Sequence, residues 1–258
     1  KGTFDQIVDN FYYQVLGLIE GGADVLLIET QQDILETKAI IEGANKAFAE
    51  KKTRLPMIVQ ATVDVFSKMQ IFNTDIHAAY TTVSGMGIDV FGINCNVGPK
   101  EMETTVEKLS RFCRHPISVV PNAGQPISED GQTCYKLSPE DMANFMEPFV
   151  REHGVAIVGG CCGTTPAHIK ALREKLNGVV PALRQPDEKI YVSGPQEVSA
   201  IDSSKGLLRI GERLNVRGSK LVQEAVESEG EISMQVLEEV VNEQVRDLGI
   251  EIIDICMD

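Results

Sequence analysis

Short apolar runs alternate with amphipathic stretches along most of the chain. Between Asp5 and Glu20, residues Ile7, Val8, Phe11, Tyr12, Val15, Leu16 and Ile19 recur at helical spacing, and Gly21-Gly22 stops the helix. A nearly all-apolar strand is expected over Asp24–Thr30. The same alternation predicts helices over Asp33–Glu50, Asp75–Gly85 and Pro99–Cys113, then from Ser138 to about His153 and from Thr165 to about Leu176. Strands are predicted between them over Met57–Val63, Asp89–Cys95, Ile117–Pro121 and Val155–Gly160. Asp33 suits an N-cap, Pro99 a first turn, and Ser138-Pro139-Glu140-Asp141 joins cap, proline and acidic first turn.

Apolar strands alternating with helices imply a parallel sheet covered on both faces. Glu29, Thr62, Asn94, Cys95, Asn122, Cys161 and Cys162 all fall at the C-terminal ends of predicted strands, where (β/α)8 barrels carry their active sites. A doubly wound sheet would also place ligands there, but no Gly-x-Gly-x-x-Gly turn is present. The expected fold is α/β, a TIM-type (β/α)8 barrel. Residues 1–177 would supply its last five βα units, with about three more upstream. The chain opens on Lys1 straight into a helix and stops after an apolar strand, so both ends are expected to be cuts in a longer polypeptide. Residues 178–206 are rich in Pro, Gly, Ser and charge, with a short strand expected at Lys189–Val192, and are read as a linker. A strand over Leu207–Gly211, a helix over Glu231–Leu248 and a strand over Ile250–Cys256 then make residues 207–258 the start of a second βα barrel.

Composition narrows the function. A chain of 258 residues with 43% hydrophobic content can build one large barrel or two ordinary domains. There is no apolar run of ~18 residues and no signal peptide. The net charge of −14 argues against nucleic acid and anionic membrane surfaces as partners. Six cysteines, two of them adjacent, do not form a secreted disulfide framework, so a cytoplasmic location is expected.

The adjacent pair carries the chemistry. Cys161-Cys162 lies between Gly159-Gly160 and Gly163-Thr164-Thr165-Pro166. A disulfide between neighbours strains the backbone, whereas both thiols can hold one soft metal ion, and the flanking glycines free the chain to bring them together. Cys95 closes another strand, and two strand ends converge if they share a sheet. Three thiolates would make an open zinc site. The alternatives are small buried packing residues or a redox dithiol. Cys113 is expected in a helix, Cys134 in a polar loop, and Cys256 at the end of the last strand. His77, His115, His153 and His168 lie on or beside helices, where solvated or packing roles are expected.

Ile93-Asn94-Cys95, Pro121-Asn122-Ala123-Gly124 and Gly159-Gly160-Cys161-Cys162-Gly163-Thr164-Thr165-Pro166 occur in an order and spacing that resembles the homocysteine S-methyltransferase barrel over Thr3–Leu176. Ile210-Gly211-Glu212-Arg213-Leu214-Asn215-Val216-Arg217-Gly218-Ser219 resembles the opening of a pterin-binding barrel. The pairing is similar to the two-barrel module of the family's cobalamin-dependent branch; betaine-dependent relatives lack the second barrel. The resemblance implies zinc-dependent methyl transfer to the thiol of homocysteine, giving methionine. Methylcobalamin would be the donor, on a domain of the same longer polypeptide or on a partner, and methyltetrahydrofolate the methyl source. It further implies Cys95, Cys161 and Cys162 as zinc ligands, with Asn122 as the oxygen ligand before substrate arrives. Glu29 and Thr62 would be substrate contacts, Glu29 pairing with the homocysteine ammonium, and Glu212, Asn215 and Asp254 pterin contacts. A non-catalytic zinc-binding fragment, or a methyltransferase using betaine or S-methylmethionine, is the alternative.

Only two strands of the second barrel fall within the chain, and an incomplete sheet leaves unpaired edges. This chain is therefore expected not to bind methyltetrahydrofolate, whereas one extended through a complete second barrel should bind it through Glu212 and Asn215. Titrating both with the folate checks this, and tight binding by the shorter chain would contradict it.

Overall fold

The alternation of apolar strands and helices folds into a parallel sheet in the computed structural model, which describes residues 2–129, 131–202, 204, 206–228 and 231–256, without the side chains of 231, 232 and 254–256. The chain divides into two units, Lys1–Ser199 and Ala200–Asp258. The division falls inside the stretch read as a linker.

The first unit opens with α1 (Phe4–Glu20), whose N-cap Thr3 exchanges side-chain and backbone hydrogen bonds with Gln6. Then follow β1 (Leu26–Gln31), α2 (Ile34–Lys51), β2 (Met57–Ala61), α3 (Ile76–Val83), β3 (Val90–Asn94), α4 (Pro99–Phe112) and β4 (Ile117–Val120). A hairpin of β5 (Ile127–Glu129) and β6 (Gln132–Cys134) precedes α5 (Pro139–Arg151), β7 (Val155–Val158) and α6 (Pro166–Lys175). Asp33, Asp75 and Ser138 cap α2, α3 and α5 by accepting from backbone N–H groups two or three residues on.

The sheet runs β1-β2-β3-β4-β7, and every neighbouring pair is parallel. The strands lie side by side in the order in which the chain makes them. A doubly wound sheet reverses that order at a switch point; this one does not, and sequential winding is the arrangement of a (β/α)8 barrel. Closure is not displayed by these strands, since β1 and β7 are the two edges of the sheet.

Alternation along the strands separates two faces. Leu26, Ile28, Met57, Val59, Ala61, Phe91, Ile93, Ile117, Val119 and Val155 join the helices in one apolar core. The other set carries polar groups. Gln60 and Ser118 are both buried, and Gln60 Nε2 donates to Ser118 Oγ at 2.7 Å across β3. Gly92 stands in register between them. A Cβ at Gly92 would lie 2.0 Å from the Ser118 carbonyl oxygen, so only glycine fits.

Three local expectations change. Cys134 lies in β6 rather than a loop, because a three-residue strand is too short to show a period. The stretch read as a linker contains a second hairpin, β8 (Ile190–Ser193) and β9 (Val198–Ile201), and its residues 182–197 are strapped onto the rest of the first unit. Ala182 N donates to Val150 O at 3.0 Å, Asp187 N to Arg111 O at 2.8 Å, and Asp75 N to Gln196 O at 2.8 Å. The Arg184 guanidinium donates to the carbonyls of Cys113 and His115, and Tyr191 packs edge-on against His77, which stacks on Phe112. In the second unit β10 spans Ile210–Asn215, so Glu212 and Asn215 lie within the strand and at its end instead of following it. The apolar Leu207-Leu208 misplaces the strand in the sequence; pairing of β10 with β11 (Ile252–Cys256) fixes it. Between them lie α7 (Lys220–Glu227), which the sequence reading missed, and α8 (Glu231–Asn242), which ends in a wider π-helical turn over Glu243–Asp247. No helix among the described residues is long and apolar enough to cross a membrane.

Gly92→Ala is expected to lower stability by about 2 kcal/mol, the usual scale for overpacking. Urea unfolding measures it, and an unchanged midpoint would contradict the close approach of β3 to β4.

Candidate metal centre

β3 ends at Asn94, and the next two residues take the left-handed conformation, Cys95 at φ 61° and Asn96 at φ 64°. Asparagine tolerates this region; cysteine rarely enters it. Neighbouring elements hold the turn. Cys95 N donates to Val120 O at 3.1 Å. Asn96 accepts from Gln70 Nε2 at 3.0 Å and donates to Val63 O at 2.9 Å. The turn points the Cys95 thiol across the end of β4.

The glycine-flanked pair approaches from the other side of β4. Cys161 N donates to Pro121 O at 2.7 Å, Cys162 N to Asn122 Oδ1 at 3.1 Å, and Ala123 N to Cys162 O at 2.8 Å. Gly163 closes the turn at φ 75°. Both strand-end turns are thus fastened to the segment that leaves β4.

The three sulfurs meet. Cys95 Sγ lies 3.8 Å from Cys162 Sγ, Cys161 Sγ lies 4.0 Å from Cys162 Sγ, and all three lie within 4.8 Å of one another. These separations exceed a disulfide bond of about 2.05 Å. A tetrahedral ion with Zn–S bonds of about 2.3 Å requires sulfurs about 3.8 Å apart, so the triangle fits one. Cys95 and Cys161 are half-buried and Cys162 is exposed, which leaves one side open. Burial pushes the Cys161 thiol up to about 12, and the hydrogen bond and charge of Cys95, then the charge of Cys162, push the same way. Thiolates this close oppose one another's ionisation, and a dication among them reverses that balance.

A buried amide joins this cluster to the polar groups on β1 and β2. Asn94 is fully buried; its Nδ2 donates to Glu29 Oε2 at 3.1 Å and Thr30 Oγ1 at 2.9 Å, and lies 4.0 Å from Cys161 Sγ. Its Oδ1 accepts from Thr30 N at 2.9 Å. Thr62, also buried, donates its hydroxyl to Asn94 O at 3.0 Å. The structure therefore gathers Glu29, Thr62, Asn94, Asn122, Cys95, Cys161 and Cys162 at one end of the sheet. Thr62 points its hydroxyl at the Asn94 backbone. Asn122 is buried and its oxygen serves the Cys162 turn, with a second lone pair left over. Glu29 is exposed apart from its bond to Asn94.

Of two further residues near the cluster, Tyr135 is absent from the sequence reading and His168 was expected only to be solvated or to pack. Tyr135, just after β6, lies against the Cys162–Gly163 turn, and its phenol is raised by burial, then by a hydrogen bond to Cys162 and by the charges of the three cysteines. His168 is buried at the start of α6; its Nδ1 faces Thr165 at 2.8 Å and its Nε2 faces Leu137 O at 2.9 Å. In the second unit Asn215 Nδ2 donates to Glu212 Oε1 at 2.9 Å. The side chain of Asp254 lies outside the described residues.

The family model for homocysteine S-methyltransferase matches residues 1–176. Methionine synthase of Mycobacterium tuberculosis (strain ATCC 25618 / H37Rv) is 36% identical over 252 residues, which is 98% of this chain and 21% of the relative. That of Mycobacterium leprae (strain TN) is 35% identical over 255 residues, 97% of this chain and 21% of the relative. The chain spans about a fifth of the length of these curated relatives. Among solved structures, the homocysteine methyltransferase MmuM from Escherichia coli in its apo form gives a TM-score of 0.53 at 22% identity, over 68% of this chain and 58% of that one. Its metallated form gives 0.50 at 24% identity, over 65% and 52%. At these identities the likeness is one of fold.

Loss of one of three sulfurs should abolish tight metal binding. The wild-type chain, purified under reducing conditions, is expected to hold one zinc ion and Cys161→Ala none, by elemental analysis after dialysis. Full retention of tight zinc by the variant would separate the triangle from metal binding.

Proposed function

The chain belongs to the homocysteine S-methyltransferase family, and on that premise we propose that Cys95, Cys161 and Cys162 hold a zinc ion at which the thiol of homocysteine is methylated to give methionine. The observation that carries this reading is the triangle of sulfurs within 4.8 Å at the C-terminal ends of β3 and β7. Zinc, when bound, would supply the Lewis acidity that holds a thiol as thiolate near neutral pH. The three cysteine sulfurs carry enough negative charge to keep the neighbourhood electron-rich. The exposed side at Cys162 leaves room for substrate. Asn122, through its remaining lone pair, would be the oxygen ligand before substrate arrives.

Glu29 orients the amino acid. It carries the charge an α-ammonium needs, and Asn94 Nδ2 fixes the carboxylate beside Cys161. One buried amide therefore sets the distance between the ammonium partner and the sulfur cluster. Thr62, just after β2, supports that residue by donating to the Asn94 backbone carbonyl at 3.0 Å and, more distantly, to its amide oxygen at 3.4 Å, and contributes to the substrate-facing surface through it.

The methyl donor we propose is methylcobalamin, carried on a domain beyond this chain, with methyltetrahydrofolate as the methyl source and Glu212, Asn215 and Asp254 contacting its pterin. Two observations support this over a betaine or S-methylmethionine donor. The similarity to both methionine synthases runs through the second unit, which the family model does not reach. In that unit Glu212 and Asn215 sit together near the end of a parallel strand. A cytoplasmic location belongs to the same proposal, supported by free thiols at Cys95, Cys113, Cys134, Cys161 and Cys162.

Glu29→Gln tests the assignment of the ammonium partner. Homocysteine binding to the zinc-loaded protein should weaken roughly tenfold, the scale of one charge-assisted hydrogen bond, with zinc content unchanged. Calorimetric titration reads the first quantity and elemental analysis the second. Lost zinc, or unchanged affinity, would count against the role.

A further inference from the structure

Glu29 sits on β1, an edge strand, and its side chain is exposed. Left to itself, such a carboxylate samples several rotamers and would offer an ammonium partner at many distances from the sulfurs. Its hydrogen-bond partner among the described residues is Asn94, whose Nδ2 donates to Oε2 at 3.1 Å. Asn94 ends β3, and β2 lies between β3 and β1. Two strand spacings are roughly 9.5 Å, so the amide bridges a gap over the end of β2.

The bridging amide is held at each of its polar atoms. Asn94 is fully buried. Its Nδ2 also donates to Thr30 Oγ1 at 2.9 Å, and its Oδ1 accepts from Thr30 N at 2.9 Å and from the Thr62 hydroxyl at 3.4 Å. Rotating the amide by half a turn would set its N–H donors against the Thr30 N–H. Thr30, at a left-handed φ of 58°, thus grips both ends of the group. The same Nδ2 lies 4.0 Å from Cys161 Sγ. One immobile nitrogen is therefore the common neighbour of the Glu29 carboxylate and the sulfur cluster.

We propose that Asn94 is the positioning residue that selects the length of the thiol amino acid, favouring homocysteine over cysteine, which is one methylene shorter. The inference rests on the reading above, in which the substrate thiol meets the zinc centre and its ammonium meets Glu29. With both anchors fixed by one amide, a shorter amino acid reaches one of them and leaves the other unpaired. A Glu29 free to change rotamer would follow the shorter chain and accept both. A single methylene in a fitted site is worth about 10- to 200-fold in discrimination.

The test is calorimetric titration of the zinc-loaded chain, under reducing conditions, with homocysteine, cysteine and mercaptobutanoate, which is homocysteine without its ammonium. Wild type should prefer homocysteine to cysteine by about tenfold or more. Asn94→Ala removes the amide. Thr30→Gly removes only the hydroxyl that Nδ2 binds, and glycine enters the left-handed region freely, so the fold is not at risk. In Asn94→Ala the preference should fall toward one, with zinc content and mercaptobutanoate affinity unchanged; Thr30→Gly should move the preference the same way by less. A merely structural role would weaken all three ligands together, and that result overturns the proposal. So does an unchanged preference in zinc-replete Asn94→Ala; if that chain fails to fold or to load zinc, the Thr30→Gly preference decides on the same terms. A wild-type chain that binds both amino acids equally refutes the selection while leaving the zinc reading intact. One that binds no zinc, or zinc but neither amino acid, sinks the proposed function itself, so the two failures are distinguishable.

Discussion

Three sulfurs from positions 95, 161 and 162 meet because a single strand, β4, separates the two strands that carry them. Two strand spacings are roughly 9.5 Å, far beyond the 3.8 Å between Cys95 and Cys162. Both turns lean inward over the end of β4 to close that gap. Cys95 does so by entering a left-handed conformation, and the pair does so by hanging from Pro121, Asn122 and Ala123. In-order winding is therefore a chemical constraint as well as a topological one. Any other strand between β3 and β7 would part the thiols.

Charge shapes the rest of the site. Glu29 and three potential thiolates stand at one end of the sheet, in a chain whose net charge is −14 before any thiol ionises. Burial and the neighbouring sulfurs keep the Cys161 thiol protonated in the absence of a cation. Asn94 holds this arrangement without adding charge. An amide supplies donors to Glu29 and Thr30 and an acceptor to the Thr30 N–H at once. An aspartate in its place would turn donors into acceptors and set a second carboxylate against Glu29.

Much of this was legible in the sequence because it is local or periodic. The alternation of apolar runs predicted the five parallel strands, and Asp33 and Ser138 announced their helices. Cys95 and Cys161-Cys162 stood at strand ends, which was enough to expect their meeting. What stayed hidden depends on contacts distant in sequence. The strap over residues 182–197 reads as linker composition, and only its bonds to Arg111, Cys113 and Val150 make it structure. Tyr135 carries no sign of its place, which comes from a hairpin too short to show a period. His168, expected to be solvated or to pack, is buried with both ring nitrogens engaged, one of them 31 residues away at Leu137.

Backbone strain gives a separate line of argument for where the chemistry lies. Six non-glycine residues adopt left-handed φ among the described residues: Thr30, Lys52, Ser67, Asn73, Cys95 and Asn96. Lys52 is the C-cap of α2, a usual place for such a residue. The other five lie at or after the C-terminal ends of β1, β2 and β3. Each costs free energy that packing elsewhere must offset, and such residues collect where a site demands a particular direction. Thr30 meets both ends of the Asn94 amide, Asn96 anchors the turn at Cys95, and Ser67 hydrogen-bonds Thr105 in the core beneath the β2–α3 loop. The helix-facing side of the sheet carries the stability, with Met57, Phe91, Ile93 and Ile117 fully buried. That core sustains a strained rim, and the rim is where sulfur, amide and carboxylate are held within reach of one another.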